Sequence, residues 1–120
     1  MNGAMKIVTV EELEGQPQAI LDFASKSDLL IMLQYNDELA GIVGFIPEPL
    51  GAYLWMVKTP VALDHSISFA RYAKRVIDTF KGKYGHIRGH SNLTSRRWLE
   101  FLGASIVPIN PDLVEFHIYG

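Results

Sequence analysis

One hundred and twenty residues make one domain, long enough to bury a core and too short for two. Hydrophobic residues are 48% and charged residues 20%, a globular balance, and a net charge of −2 gives no overall pull toward nucleic acid or an anionic membrane. No cysteine is present, which removes disulfides, thiolate nucleophiles and cysteine zinc sites and fits a reducing compartment. Apolar runs such as Leu29 to Leu33 are too short to span a bilayer, and the N-terminus has no apolar export core. A cytoplasmic location is expected, with Met5 an alternative start and residues 1–4 then a leader.

Lys6 to Val10 is a β-branched strand candidate, and Thr9 followed by Glu12 has the spacing of a capping box that opens a helix. Gly15 and Pro17 interrupt it. Pro17 suits the first turn of a second helix, where Ile20, Leu21 and Ala24 have helical spacing. Asp28 to Tyr35 reads as a buried strand, Asn36-Asp37 as a tight turn and Leu39 to Ile46 as the hairpin partner. Pro47 and Pro49 are expected to stop that strand and bracket a loop. Leu50 to Lys58 is the next strand, with Tyr53 and Trp55 on one face and Leu54 and Met56 on the other.

Thr59-Pro60 ends it. From Ser66 the period becomes 3.6, and Phe69, Ala70, Ala73, Val76, Ile77 and Phe80 form one apolar stripe. Gly82 and Gly85 close that helix. His86 to His90 is a short strand, Asn92 to Thr94 opens a last helix that runs to Leu102, and Gly103 stops it. Ser105 to Ile109 and Leu113 to Tyr119 are two final strands around the turn at Asn110, Pro111 and Asp112. The order β-α-α-β-β-β-α-β-α-β-β predicts an α/β (α+β) domain, one mixed, mostly antiparallel sheet of six to seven strands with helices on both faces.

That order resembles the GCN5-related N-acetyltransferase (GNAT) superfamily over nearly the whole chain. A sharper likeness is local. In that family an asparagine after the fifth strand opens the fourth helix, a small residue follows three positions later and a glycine closes the helix; Asn92, Ser95 and Gly103 have this spacing. The stretch NLTSRRWLEFLGA, the LWMV strand and the length are most similar to the acetyltransferase-like internal virion protein family of T7-like short-tailed phages.

The resemblance implies acetyl-CoA as a ligand and a phosphate-cradling loop before the third helix, which falls on Thr59 to Ser68. Acidic pyrophosphate suits backbone amides at a helix N-terminus. Aligned on Pro60, the family's arginine position holds Leu63, its first glycine position Asp64, and the last two glycine positions Ser66 and Ser68. The serines are small enough for a phosphate to approach. Asp64 repels one unless, like Ser66, it serves as a helix cap. The resemblance also puts Trp55, Met56 and Val57 where backbone groups meet the pantetheine arm, and Asn92 at the head of the last helix.

A tyrosine that protonates the leaving thiolate is expected by resemblance at position 99, but Leu99 stands there with Trp98 before it, and neither can donate in that role. A base is still needed. His86, Arg88 and His90 share one face of their strand by period 2, so His86 or His90 is the candidate base, against the plainer reading of a half-exposed polar face. Glu48 is a further candidate, His65 and His117 weaker ones, and no set of residues has metal-ligand spacing. Arg96 and Arg97 oppose the dipole at the start of the last helix, and Arg71, Lys74, Arg75, Lys81 and Lys83 read as a solvated helix face before a docking surface.

Two readings follow. The altered phosphate loop and the missing tyrosine favour a module with a degenerate acyl-CoA site. By resemblance that module belongs to a virion or its assembly, partnered by other phage virion proteins or a host protein. The alternative is an active N-acetyltransferase that uses acetyl-CoA to modify a small amine or a protein amino group. A gap between the strands at Met56 and Ile87, open and lined by amides, favours the enzyme. A gap plugged by Trp55 or Trp98 favours the module.

Overall fold

A computed structural model of the chain describes residues 3–92 and 96–120. It contains β1 (Gly3–Ile7), a single 3-10 turn (Val10–Leu13), α1 (Gln18–Lys26), β2 (Leu29–Tyr35), β3 (Glu38–Glu48), β4 (Gly51–Lys58), α2 (Pro60–Asp64), α3 (Ser66–Tyr84), β5 (His86–Asn92), α4 (Arg96–Phe101), β6 (Ser105–Asn110) and β7 (Leu113–Tyr119). The strands form one seven-stranded sheet in the order β1-β2-β3-β4-β5-β7-β6. Every neighbouring pair is antiparallel except β4 and β5. The predicted class and element order are therefore observed, with one helix more than expected.

The β2–β3 hairpin turns on Asn36 and Asp37, both at positive φ (50° and 66°), which the twist of a two-residue turn demands and these two residue types tolerate. β3 extends beyond the expected stop. Pro47 lies inside the strand opposite Ala52. Pairing of β2 with β3 begins only at Leu29 opposite Phe45, so the donor Pro47 lacks is not needed by that neighbour. Glu48 is thus the last residue of β3 rather than part of a loop.

Thr9 and Glu12 do approach (Oγ1 to Oε1, 3.5 Å), but they introduce one 3-10 turn instead of an α-helix. The larger correction concerns Thr59 to Ser68. Thr59 is extended (φ −101°, ψ 171°) and Pro60 takes the first helical position, so Pro60 to Asp64 forms α2 instead of a loop. Asp64 is consequently the last residue of α2, and His65 occupies the N-cap position of α3 without a side-chain cap bond, so neither Asp64 nor Ser66 caps α3. The expected helix opening at Asn92 to Thr94 falls mostly outside the described residues. Asn92 ends β5, while Thr94 and Ser95 lie outside the described residues. Gly85 and Gly103, at φ 76° and 79°, end α3 and α4 as predicted.

Two apolar layers sandwich the sheet. On one side α3 buries Phe69, Ala73, Val76 and Ile77 against Val43, Phe45, Leu54, Ile87 and Phe116, and α4 adds Leu99 and Leu102. On the other, Leu13 and α1's Ala24 cover Leu30, Ile42 and Trp55. The Trp55 indole donates to Ser27 Oγ at 2.7 Å and lies flat over Gly44, where a Cβ would sit 2.2 Å from the ring. Among the described residues this second cover lies over β2, β3 and β4; the same face of β5 carries His86, Arg88 and His90, and that of β7 Glu115 and His117. No helix among the described residues is long and apolar enough to cross a membrane.

At the end of α3, the Tyr84 ring stacks on Phe45 (centroids 5.1 Å apart) and its hydroxyl donates to Asp28 Oδ1 at 2.5 Å. Burial, and then the Asp28 carboxylate, push the phenol pKa above its ordinary value of 10.0. A raised pKa means that the folded chain holds this proton longer than the unfolded chain does. Its stabilisation is complete below about pH 10 and is lost as pH rises further. Tyr84→Phe is expected to cost about 1 kcal/mol at neutral pH. It should also flatten the decline in urea midpoint between neutral pH and about pH 10.5, with the difference between the two proteins shrinking at the alkaline end.

Candidate functional site

β4 and β5 run parallel for two residue pairs only, Ala52 with Ile87 and Tyr53 with Arg88. Beyond these, β4 stays with β3 as far as Lys58, opposite Gly41, while β5 stays with β7 as far as Asn92, opposite Leu113. The two halves of the sheet therefore part into a V. Its vertex is tight: a Cβ on Gly89 would fall 2.4 Å from Phe116 Cζ and 2.8 Å from the Leu54 carbonyl oxygen. Glycine lets the strands touch there before they diverge.

The opening holds a cleft of about 550 Å³ that passes through the sheet. Tyr53 to Lys58 form one wall, and His90 and Ser91 the other. α1 contributes Ala19, Ile20 and Phe23 from one layer, and α4 contributes Trp98, Leu99 and Leu102 from the other. Neither tryptophan plugs it. Trp55 is 8% exposed and turned toward α1, and Trp98 stands against Phe69 (centroids 6.3 Å apart) beneath the Lys58 ammonium, 5.1 Å from its ring. From Leu54 onward β4 has no strand partner on this side, so its backbone groups face the cleft.

His86, Arg88 and His90 do share one face, with Ile87 and Gly89 buried on the other. They meet different surroundings. His90 lines the cleft, and its Nδ1 lies 3.0 Å from the Tyr53 hydroxyl. His86 sits behind the vertex, its Nε2 2.7 Å from Nδ1 of His117 and its ring stacked against both His117 and Tyr119. Glu48 does not line the cleft; the Arg88 guanidinium grips both of its oxygens at 2.7 and 2.8 Å. Arg88 also donates to Glu115 at 3.1 Å. Glu48 first, then Glu115, raise the Arg88 pKa still further. Burial pushes the Glu115 carboxyl upward, but hydrogen bonds from His117 and Arg88 prevail and hold it below the usual carboxylate range.

Of the residues expected to meet a cofactor, Trp55, Met56 and Val57 line the cleft. Ser66 and Ser68 lie in the first turn of α3, outside its wall, and Asn92 closes β5 beside it. His65 stacks on Tyr35 (centroids 3.7 Å apart), which pins the break between α2 and α3. The cationic face of α3 is largely paired: Asp78 holds Lys74 and Lys81, and Asp28 meets Lys83. Arg96 is offset by Glu100 one turn on, at 3.0 Å. Among the described residues no cluster of His, Asp or Glu is arranged to hold a metal ion. The residue that sequence reasoning overlooked is Tyr53. Period 2 placed it on the right face, but nothing in the linear order says that it meets His90, 37 positions later.

No family model matches the chain, and no curated protein matches it in sequence. Solved structures do. The ribosomal-protein-S18-alanine N-acetyltransferase of Escherichia coli superimposes with a TM-score of 0.75 at 13% identity, over 98% of this chain and 94% of its own. An acetyltransferase of Bacillus subtilis in complex with CoA gives 0.73 at 12% identity, over 99% of both chains. A GNAT family acetyltransferase of Elizabethkingia anophelis with acetyl-CoA bound gives 0.67 at 14% identity, also over 99% of both. Likeness at this level of identity establishes the fold: the chain has the GNAT architecture.

Proposed function

We propose that this chain is an acyl-CoA-dependent N-acetyltransferase, with the cleft between β4 and β5 as its active site. One observation carries the reading. The parallel pairing stops at Tyr53 and Arg88, and the gap beyond is open, walled by unpaired backbone and furnished with a histidine. A module that had lost its ligand would have no reason to keep such a gap unfilled in an otherwise close-packed sheet. The similar structures described above are acetyltransferases. None of the comparisons carries the virion-protein resemblance, and the likeness to acetyltransferases favours the enzyme over the module.

The residues fit the ligand at the cleft. Trp55, Met56 and Val57 offer backbone groups to an extended amide-bearing arm, and Trp98 with Leu102 offers an apolar wall. α3, 19 residues long, begins directly after α2 with no side chain capping its first turn, which leaves the amides around Ser66 and Ser68 as candidates to meet an anion. Acetyl-CoA supplies an acyl group activated as a thioester. His90, in the wall of the cleft, is the base of the reading: it accepts, directly or through a neighbouring group, the proton that the acceptor amine gives up.

Calorimetric titration of acetyl-CoA and CoA into the purified chain tests this directly. Micromolar binding is expected. Asp64→Asn, which removes a carboxylate just before α3, should tighten binding about threefold to tenfold by relieving like-charge repulsion. No detectable binding by either protein would return the chain to the class of folds that have lost their ligand.

A further inference from the structure

We propose that Tyr53 is the proton-handling catalytic residue of this cleft, coupled to His90 as its base, with Glu115 as the positioning residue behind the ring. The proposal rests on the acetyltransferase reading and names a residue from β4 where the family resemblance expects one on α4.

The geometry is that of a relay. Tyr53 is the last residue of β4 paired with β5, so its side chain stands at the vertex of the V, and both it and His90 line the cleft. The two rings approach to 5.6 Å, and the Tyr53 hydroxyl lies 3.0 Å from His90 Nδ1. In the proposed relay the phenol donates to Nδ1, which puts the ring proton on Nε2. Nε2 in turn faces Glu115 Oε1 at 3.7 Å. Glu115 is itself held by Arg88 at 3.1 Å and approached by His117 Nε2 at 3.3 Å. Arg88 is anchored from β3 by Glu48, and its guanidinium lies 5.1 Å from the Tyr53 ring centre. A hydroxyl aimed at a base, and a base backed by a fixed carboxylate, is the arrangement that activates an O–H group.

Among the described residues, Tyr53 on β4 and Glu115 on β7 face His90 directly, and Arg88 on its own strand, His117 on β7 and Glu48 on β3 hold that set in place. Burial raises the Tyr53 pKa against the opposing pull of Arg88, so the phenol keeps its proton near neutrality. Leu99, at the position where the resemblance expects a donor, is 1% exposed and belongs to the core.

The proton count closes. As the amine nitrogen bonds to the acyl carbon, Tyr53 passes its proton to His90 Nδ1 while its oxygen takes one from the nitrogen. The imidazolium so formed lies between Tyr53 and the Glu115 carboxylate. When the carbon–sulfur bond breaks, His90 returns its proton to Tyr53, and Tyr53 gives the one it held to sulfur. An amide and a free thiol leave, and both side chains end as they began.

Tyr53→Phe keeps the ring and removes the relay. Three readouts are compared between this variant and the unaltered chain: acetyl-CoA affinity, thiol release with n-butylamine or a pentapeptide bearing a free α-amino group, and the ring 15N shifts of His90. Affinity within twofold of the unaltered chain, thiol release lowered about a hundredfold, and loss of the acceptor-type Nδ1 shift are expected. Glu115→Gln should change the His90 tautomer populations read from the same spectra. Thiol release by Tyr53→Phe at the unaltered rate overturns the proposal, as does a His90 ring protonated on Nδ1 in the unaltered chain, or no thiol release with either amine from a chain that binds acetyl-CoA. Failure of the unaltered chain to bind acetyl-CoA overturns the acetyltransferase reading and this role with it.

Discussion

Phe45→Ala is expected to remove about 3–5 kcal/mol of stability, the range for an aromatic side chain deleted from a close-packed interior. Phe45 is fully buried at the centre of β3, stacked on Tyr84 and tilted against Phe80 at 6.2 Å. It links the sheet to the last turns of α3, and its neighbours Val43 and Ile77 sit on rigid elements that cannot collapse into the space it leaves. Small domains have about 5–15 kcal/mol in total, so the variant stands near the edge of folding. Urea denaturation followed by tryptophan fluorescence measures the loss. A loss under about 1 kcal/mol would show that the interior closes over the gap, contrary to the packing described.

Gly89→Ala acts at the other scale, on the geometry of the site. The added methyl cannot be absorbed by one flexible side chain. It meets Phe116 Cζ at 2.4 Å and, more stubbornly, the Leu54 carbonyl oxygen of β4 at 2.8 Å. β5 must move away from β4, which undoes the two pairs that close the vertex. The expected cost is about 2–3 kcal/mol, toward the upper end for overpacking. Acetyl-CoA affinity should fall about tenfold or more, because the two walls of the cleft no longer keep their spacing. A folded variant with unaltered affinity would place the ligand elsewhere. Comparison with Phe45→Ala separates the effects: that substitution lies outside the cleft and should weaken the fold while leaving the affinity of the folded fraction unchanged.

The sheet layers were legible from residue order wherever one local rule decided the outcome. Alternation along Tyr53, Leu54, Trp55 and Met56 assigned the faces of β4 correctly, and the helical stripe from Phe69 to Ile77 assigned the buried face of α3. Asn36-Asp37 and the glycines at 85 and 103 announced a turn and two helix ends, because a positive φ restricts the choice of residue. Reading failed where a family pattern was laid over local chemistry. Thr59-Pro60 is itself a helix start, yet the segment was expected to be a phosphate loop, and α2 was missed.

The candidate site was legible only in part. His90 stood out because an imidazole on a strand face is an unusual choice, and the cleft-lining run from Trp55 to Val57 followed from the order of elements. His86, chemically its equal, was separated from it only by the fold, which stacks it against His117 and Tyr119 behind the vertex. Glu48 likewise became an anchor for Arg88 once β3 and β5 were brought together across β4.

By itself, then, the sequence determined the class of fold, the faces of its strands and helices and the absence of cysteine chemistry, all of which depend on neighbours within a turn or a hairpin. The tertiary structure alone decided that β4 and β5 part after two pairs, that Trp55 leans on Ser27 and leaves the gap open, and that Tyr53, His90 and Glu115 come from three strands to one chain of contacts. Periodicity says which way a side chain points. Only the packing of distant strands says what it meets.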